Sequence, residues 1–172
     1  MVLYLLDANV LINANRTYYS IDRVPEFWEW LVYMGGMDKV KIPIEIYEEI
    51  DKKRPDEIDF LADWAKEVET KSALLLKDEV DVLLVASITN VGYADDLTDN
   101  EVEKLGRDPF LIAHALKDTN SRCVVTSEVS KPNKQRANRR IPDVCSMFKV
   151  PCCDTFDFVR ALNFSTHWKD FS

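Results

Sequence analysis

Nowhere in the chain do eighteen apolar residues follow one another, so no segment reads as a membrane-spanning helix. The first ten residues carry neither a basic start nor a small-residue cleavage site, and the expectation is a soluble, cytoplasmic protein without a membrane partner. Cysteine is scarce and unpatterned. Cys123, Cys145, Cys152 and Cys153 contain no C-x-x-C, and two are adjacent in an apolar run, which reads as reduced core thiols rather than as a zinc site or two disulfides. Positive charge is also short: 22 Lys and Arg stand against 30 Asp and Glu, a net charge of −8. That balance excludes a protein that coats nucleic acid by bulk electrostatics, so any such contact must be local. Of the two histidines, His114 lies in a helical segment away from the stripe of Asp108 and reads as a solvated surface residue, and His167 sits in the C-terminal tail. Neither supports histidine-based acid–base catalysis.

What remains is a chain of 172 residues, 47% of them hydrophobic, enough for one domain with a real core. Short apolar strands alternate with helical segments. Val2 to Leu6, Val40 to Ile42, Cys123 to Thr126 and Val150 to Cys153 read as strands. Pro25 to Met34 reads as an amphipathic helix through Phe27, Trp30, Leu31 and Met34, stopped by Gly35-Gly36. Pro43 opens a helix with Ile46, Tyr47 and Ile50 as its stripe. Further helices are expected over Asp56 to Thr70, Asp78 to Thr89 and Asp108 to Lys117, and Asp154 caps a last one. This alternation predicts an α/β fold, a three-layer sandwich around a mostly parallel central sheet.

Acids interrupt this frame at telling places. In a parallel sheet, ligands collect at the carboxyl ends of the strands. Asp7 ends the first strand, in LLDANVLI, and Glu128 follows the strand ending VVT. Asp108 precedes Leu111, Ile112 and Ala115 by three, four and seven residues, which sets it on the inward stripe of its helix. In IPIEIYEEI, Glu45 and Glu49 share one side and Glu48 is rotated away. Four carboxylates converging from four elements repel one another and take up protons unless a cation stands between them. Oxygen-only ligands suit Mg²⁺ or Mn²⁺, and such an ion assists phosphodiester hydrolysis. The blander reading of Asp7 and Asp108 is helix capping and dipole stabilisation, about 0.3 to 1 kcal/mol each.

The order of these motifs, LLDANVLI, IPIEIYEEI, DPFLIAHAL and VVTSE, resembles that of the PIN-domain nucleases, over nearly the whole chain. Within that family the chain is similar to the VapC-like toxin ribonucleases and to a stand-alone branch marked by a Tyr-rich segment, here NRTYYS. The resemblance implies a PIN-like fold and a metal-dependent endoribonuclease, the toxin of a prokaryotic toxin–antitoxin pair. It implies Asp7, Glu49, Asp108 and Glu128 as catalytic and metal-binding residues, Asn9 and Thr126 as polar residues shaping the site, and RNA and a cognate antitoxin as partners, with a homodimer as a further assembly. Two departures stand out: the fourth acid is Glu, and Ser130 and Lys131 stand where a second acid follows it, leaving Asp143 to supply one.

Two other readings compete. An aspartate-nucleophile phosphatase needs a second acid two residues after the first, where this chain has Asn9. A PIN-like adaptor that no longer cuts would bind RNA or protein without needing the quartet. For substrate binding the densest basic run is KPNKQRANRR, with five basic residues and no acid, set against the acid-rich stretch from Asp95 to Glu103. Lys134, Arg136, Arg139 and Arg140 are the expected grips on the RNA backbone, giving affinity without base selectivity.

Overall fold

The computed structural model describes residues 2–52 and 60–170. Strand β1 (Leu3–Leu6) pairs on both edges, with β2 (Val40–Lys41) on one side and β3 (Arg122–Val125) on the other. Strand β4 (Cys152–Cys153) completes a sheet of order β2-β1-β3-β4 in which every pair is parallel. Ile42 prolongs the β2 edge through a parallel bridge to Leu75. The expected three-layer α/β sandwich is therefore present, with ten α-helices around the sheet among the described residues. None of these helices is long and apolar enough to cross a membrane.

The chain leaves β1 toward β2 on one side and later returns to β3 on the other, so the strand order reverses between β1 and β3. Parallel α/β sheets open a crevice at such a reversal, beyond the strand ends. Helix α1 (Ala8–Asn13) starts there directly after Asp7. Helix α3 (Ile44–Ile50) follows β2, with Ile46, Tyr47 and Ile50 buried as the stripe predicts. Helix α8 (Asp108–Leu116) packs on β1 and β3 and also touches α3, α6 (Val82–Ser87) and α9 (Ile141–Phe148).

The other face of the core is aromatic. Helix α2 (Pro25–Gly36) buries Phe27, Trp28, Trp30 and Leu31. Tyr19 stacks on Phe27 at 4.4 Å, and its carbonyl accepts from Trp28 Nε1 at 2.7 Å, so the Tyr-rich segment belongs to this cluster. Helix α10 (Thr155–Ala161) adds Phe158, and Asp154 caps it by accepting from the Asp157 amide.

Several boundaries differ from the sequence reading. The expected helix from Asp56 begins outside the described residues; within them, α4 (Phe60–Lys66) and α5 (Val68–Leu74) are separate, because Glu67 takes extended dihedrals. Val68 then opens the second helix and is exposed rather than on the core stripe. The segment from Asp78 straightens only at Val82, after Asp81 caps it, and widens into a π turn at Ile88. Helix α7 (Asp99–Leu105) carries a capping box between Thr98 and Glu101 inside the acid-rich stretch.

The two glycines expected to stop α2 are both inside it, and the turn falls at Asp38, whose φ is 54°. They differ in surroundings. A Cβ on Gly35 would lie 2.7 Å from Leu74 Cδ2 and 2.8 Å from the Ala73 carbonyl oxygen, whereas one on Gly36 would meet nothing within 4 Å. Gly35→Ala should therefore overpack the α2–α5 contact and destabilise by about 1–3 kcal/mol. Gly36→Ala should be neutral or stabilise by up to about 1 kcal/mol through helix propensity. Thermal melts of the two variants check this pair.

Candidate metal centre

The register of β1 and β3 sets Leu6 opposite Val125, and the next residues on each strand meet beyond the sheet. The Asp7 amide donates to the Val125 carbonyl at 2.9 Å, and Thr126 Oγ1 donates to Asp7 Oδ2 at 2.8 Å. Asp7 is 3% exposed and also caps α1, accepting a long 3.4 Å bond from the Asn9 amide. Capping and the bond from Thr126 thus share one carboxylate, each through a different oxygen. Asn9, an exposed residue, bonds the Asp7 carboxyl through its side chain as well as its backbone amide. Thr126 Oγ1 also accepts from the Glu128 amide at 3.1 Å, so one hydroxyl orients the ends of both strands.

Helices α3 and α8 bring the remaining acids. Gly106, at φ 54°, turns the chain into α8 and lets it pass with a would-be Cβ only 4.0 Å from Glu49 Oε1. Glu48 faces outward to Arg107, 3.7 Å away. Glu45 accepts from or faces His114 Nε2 at 3.1 Å, one turn behind Glu49, tying α3 to α8. His114 is a correction to the sequence reading: it is 1% exposed rather than solvated. Helix α8 has neighbours on every side beyond its first turn, so the face opposite the Asp108 stripe is buried too.

The electrostatics follow from this crowding. Burial raises the Asp7 carboxyl above its ordinary range and Glu128 adds repulsion, while the Thr126 hydroxyl and the Asn9 amide pull it back. Glu49 is raised by burial and by Asp7, with Arg107 and Lys52 relieving it. Asp108 is pushed up to about 8 by burial, then by Asp7, Glu128 and Glu49, with Arg140 opposing. Asp108 thus senses the other three. As placed the four form an electrostatic cluster rather than a closed cage, since among the described residues no three acidic, histidine or cysteine side chains are drawn together around one point.

Glu128 differs from the other three because both its oxygens are engaged. Oε1 accepts from Arg140 at 2.7 Å and Oε2 from the Ile141 amide at 2.8 Å, which caps the start of α9. Asp143 ties down the loop after β3, accepting from Ser130 Oγ and from the Lys131 amide at 2.8 Å. The basic run has similarly defined places. Arg136, at φ 52°, pairs with Asp96 and makes two 2.8 Å bonds to Glu101, which it holds down to about 2. The two opposite charge blocks of the sequence therefore close on each other. Arg139 donates to the Gly92 carbonyl, Arg140 leans toward the acids, and Lys134 is exposed. Sequence reasoning missed a second set of cations: exposed Arg16 and Lys52 border a cleft of about 50 Å³ that Glu49 also lines, with Arg107 alongside.

Fold and site together define a parallel α/β protein with an acidic centre where its strand order reverses. Residues 4–166 match a family described as a domain of unknown function, DUF4411, and the chain belongs to that family. No curated protein and no solved structure matches it.

A carboxyl whose folded pKa is raised keeps its proton in the folded chain and loses it in the unfolded one, between its unfolded value of about 4 and its folded value. Stability then falls as pH rises across that window. Burial lowers the pKa of His114, which works in the opposite sense, but only below its unfolded value of about 6.5. In metal-free protein the unfolding free energy should therefore decrease from about pH 6.5 to about pH 8, and Asp108→Asn should flatten that decrease in urea titrations. Equal slopes in both proteins would remove Asp108 as the proton carrier.

Proposed function

We propose that this chain is a Mg²⁺- or Mn²⁺-dependent endoribonuclease of the PIN type, working in the cytoplasm as the toxin of a prokaryotic toxin–antitoxin pair. The observation that carries the reading is the Asp108 carboxyl, raised to about 8 by burial and then by Asp7, Glu128 and Glu49. The motif order and the four free cysteines, as expected of a reducing compartment, support it.

The donor chemistry fits a hard divalent cation: Asp7, Glu49 and Asp108 offer carboxylate oxygens, and the repulsion on Asp108 is what such a cation relieves. Asp7, Glu49 and Asp108 would hold it. When bound, the ion supplies a Lewis acid that neutralises charge on the phosphate and lowers the pKa of water. The chain's own residues do the rest. Thr126 fixes the Asp7 carboxylate by its hydroxyl, as an outer partner does for a ligand. Glu128 holds Arg140 beside the acids, and only Nη1 of that guanidinium is engaged with it, leaving donors for a non-bridging phosphate oxygen. Arg16, Lys52 and Lys134 lie exposed to take flanking phosphates.

Digestion of total RNA with purified protein tests the activity. Cleavage should require Mg²⁺ or Mn²⁺ and should fall by more than about a hundredfold in Asp7→Asn and Asp108→Asn, because losing a ligand exceeds the loss of an outer-shell partner. Both variants should melt no lower than wild type without metal, since Asn escapes the burial and repulsion that raise both carboxyls. Wild-type cleavage by either variant would defeat the assignment. Replacing Arg16, Lys52 and Lys134 with Gln should weaken RNA binding and reduce its salt slope by about 0.7 per lost phosphate contact on a single strand.

A further inference from the structure

We infer that Cys123 and Cys153 form a peroxide-sensitive dithiol that closes to a disulfide beside the acidic centre. The placement follows from strand register. Cys153 lies opposite Val125 and Cys152 opposite Val124 in a parallel pair, so the two adjacent cysteines point to opposite faces of the sheet. Cys123, two residues before Val125, shares the face of Cys153, and their sulfurs stand 3.8 Å apart. Cys152 faces the other way, toward Cys145 on α9, which is fully buried. Cys152 and Cys153 are both half-buried, but Cys145 is fully shielded whereas Cys123 is 8% exposed, so the Cys123–Cys153 pair is the more accessible of the two.

A disulfide needs sulfurs about 2.05 Å apart and Cα atoms within about 7 Å, so this pair, offset by two positions across the ladder, must close by about 1.8 Å between sulfurs with a shift of the backbone as well. Strand β4 can follow: it is two residues long and pairs on one side only. The contact between the thiols favours the thiolate on Cys123 and keeps the proton on Cys153. Hydrogen peroxide is small enough for a mostly covered sulfur. The Cys123 thiolate attacks one peroxide oxygen, the O–O bond breaks, and after protonation one water leaves, giving a sulfenic acid. The Cys153 sulfur then attacks the Cys123 sulfur, its thiol proton leaves with the hydroxyl as a second water, and the S–S bond forms. Two electrons pass from the thiols to one peroxide. The bond would also pull on the site, because the Cys153 carbonyl accepts from the Thr126 amide at 3.1 Å and Thr126 holds Asp7. The cross-link itself does not depend on the nuclease reading.

The test is mass spectrometry of the intact chain after dilute peroxide, followed by non-reducing tryptic mapping. Wild type and Cys152→Ser should each lose about 2 Da, reversibly with dithiothreitol, as two thiol hydrogens depart. The cross-link should join the peptides of residues 123–134 and 150–160. Cys153→Ser and Cys123→Ser should each abolish that cross-link, and the Cys145→Ser, Cys152→Ser double variant, which keeps the proposed pair, should retain it. A wild type that gains oxygen in steps of about 16 Da without the loss, or a cross-link running through residues 141–149 instead, would overturn the inference.

Discussion

Everything at the centre of this molecule depends on the register between β1 and β3. With Leu6 opposite Val125, the residues that leave the sheet side by side are Asp7 and Thr126, and the hydroxyl of one binds the carboxylate of the other. A shift of one residue in either strand would turn that strand's side chain to the other face of the sheet and separate the two. The buried pattern of the strands holds that register: Leu5, Leu6, Val124 and Val125 are completely shielded from water.

Around that fixed point the chain gathers more negative charge than a buried crevice tolerates by itself. Asp108 and Glu49 arrive on helices whose other residues are committed to the core, so the acids cannot retreat without unpacking Leu111, Ile112, Ile46 and Ile50. Arg140 and Arg107 relieve part of the repulsion from the rim. The remainder appears as a carboxyl that keeps its proton near neutrality. That unrelieved charge is the physical mismatch on which the proposal of a bound cation rests.

The sheet and the acids were legible because both rest on short-range patterns. Short, largely apolar strands ended by Asp7 or Thr126 announce a parallel sheet and mark its carboxyl edge. Helix α7 was legible too, since Thr98 and Glu101 spell a capping box, but its acids draw the eye first as a charge run. His114 was not, because the period of one helix cannot report neighbours on its far side; its partner Glu45 is 69 residues away in sequence. Arg136 and Arg140 belong with it. Their charges suggest a basic surface until the fold supplies Asp96, Glu101 and Glu128 as partners.

The central claim is that four acids share one crevice and that one of them holds a proton a cation would displace. Calorimetric titration of Mn²⁺ into metal-free protein near pH 7, in two buffers of different ionisation enthalpy, reads the protons released per ion. With the Asp108 carboxyl raised to about 8, binding should release close to one proton. Observed binding heats that do not differ between the two buffers, or no saturable heat at all, would contradict the account.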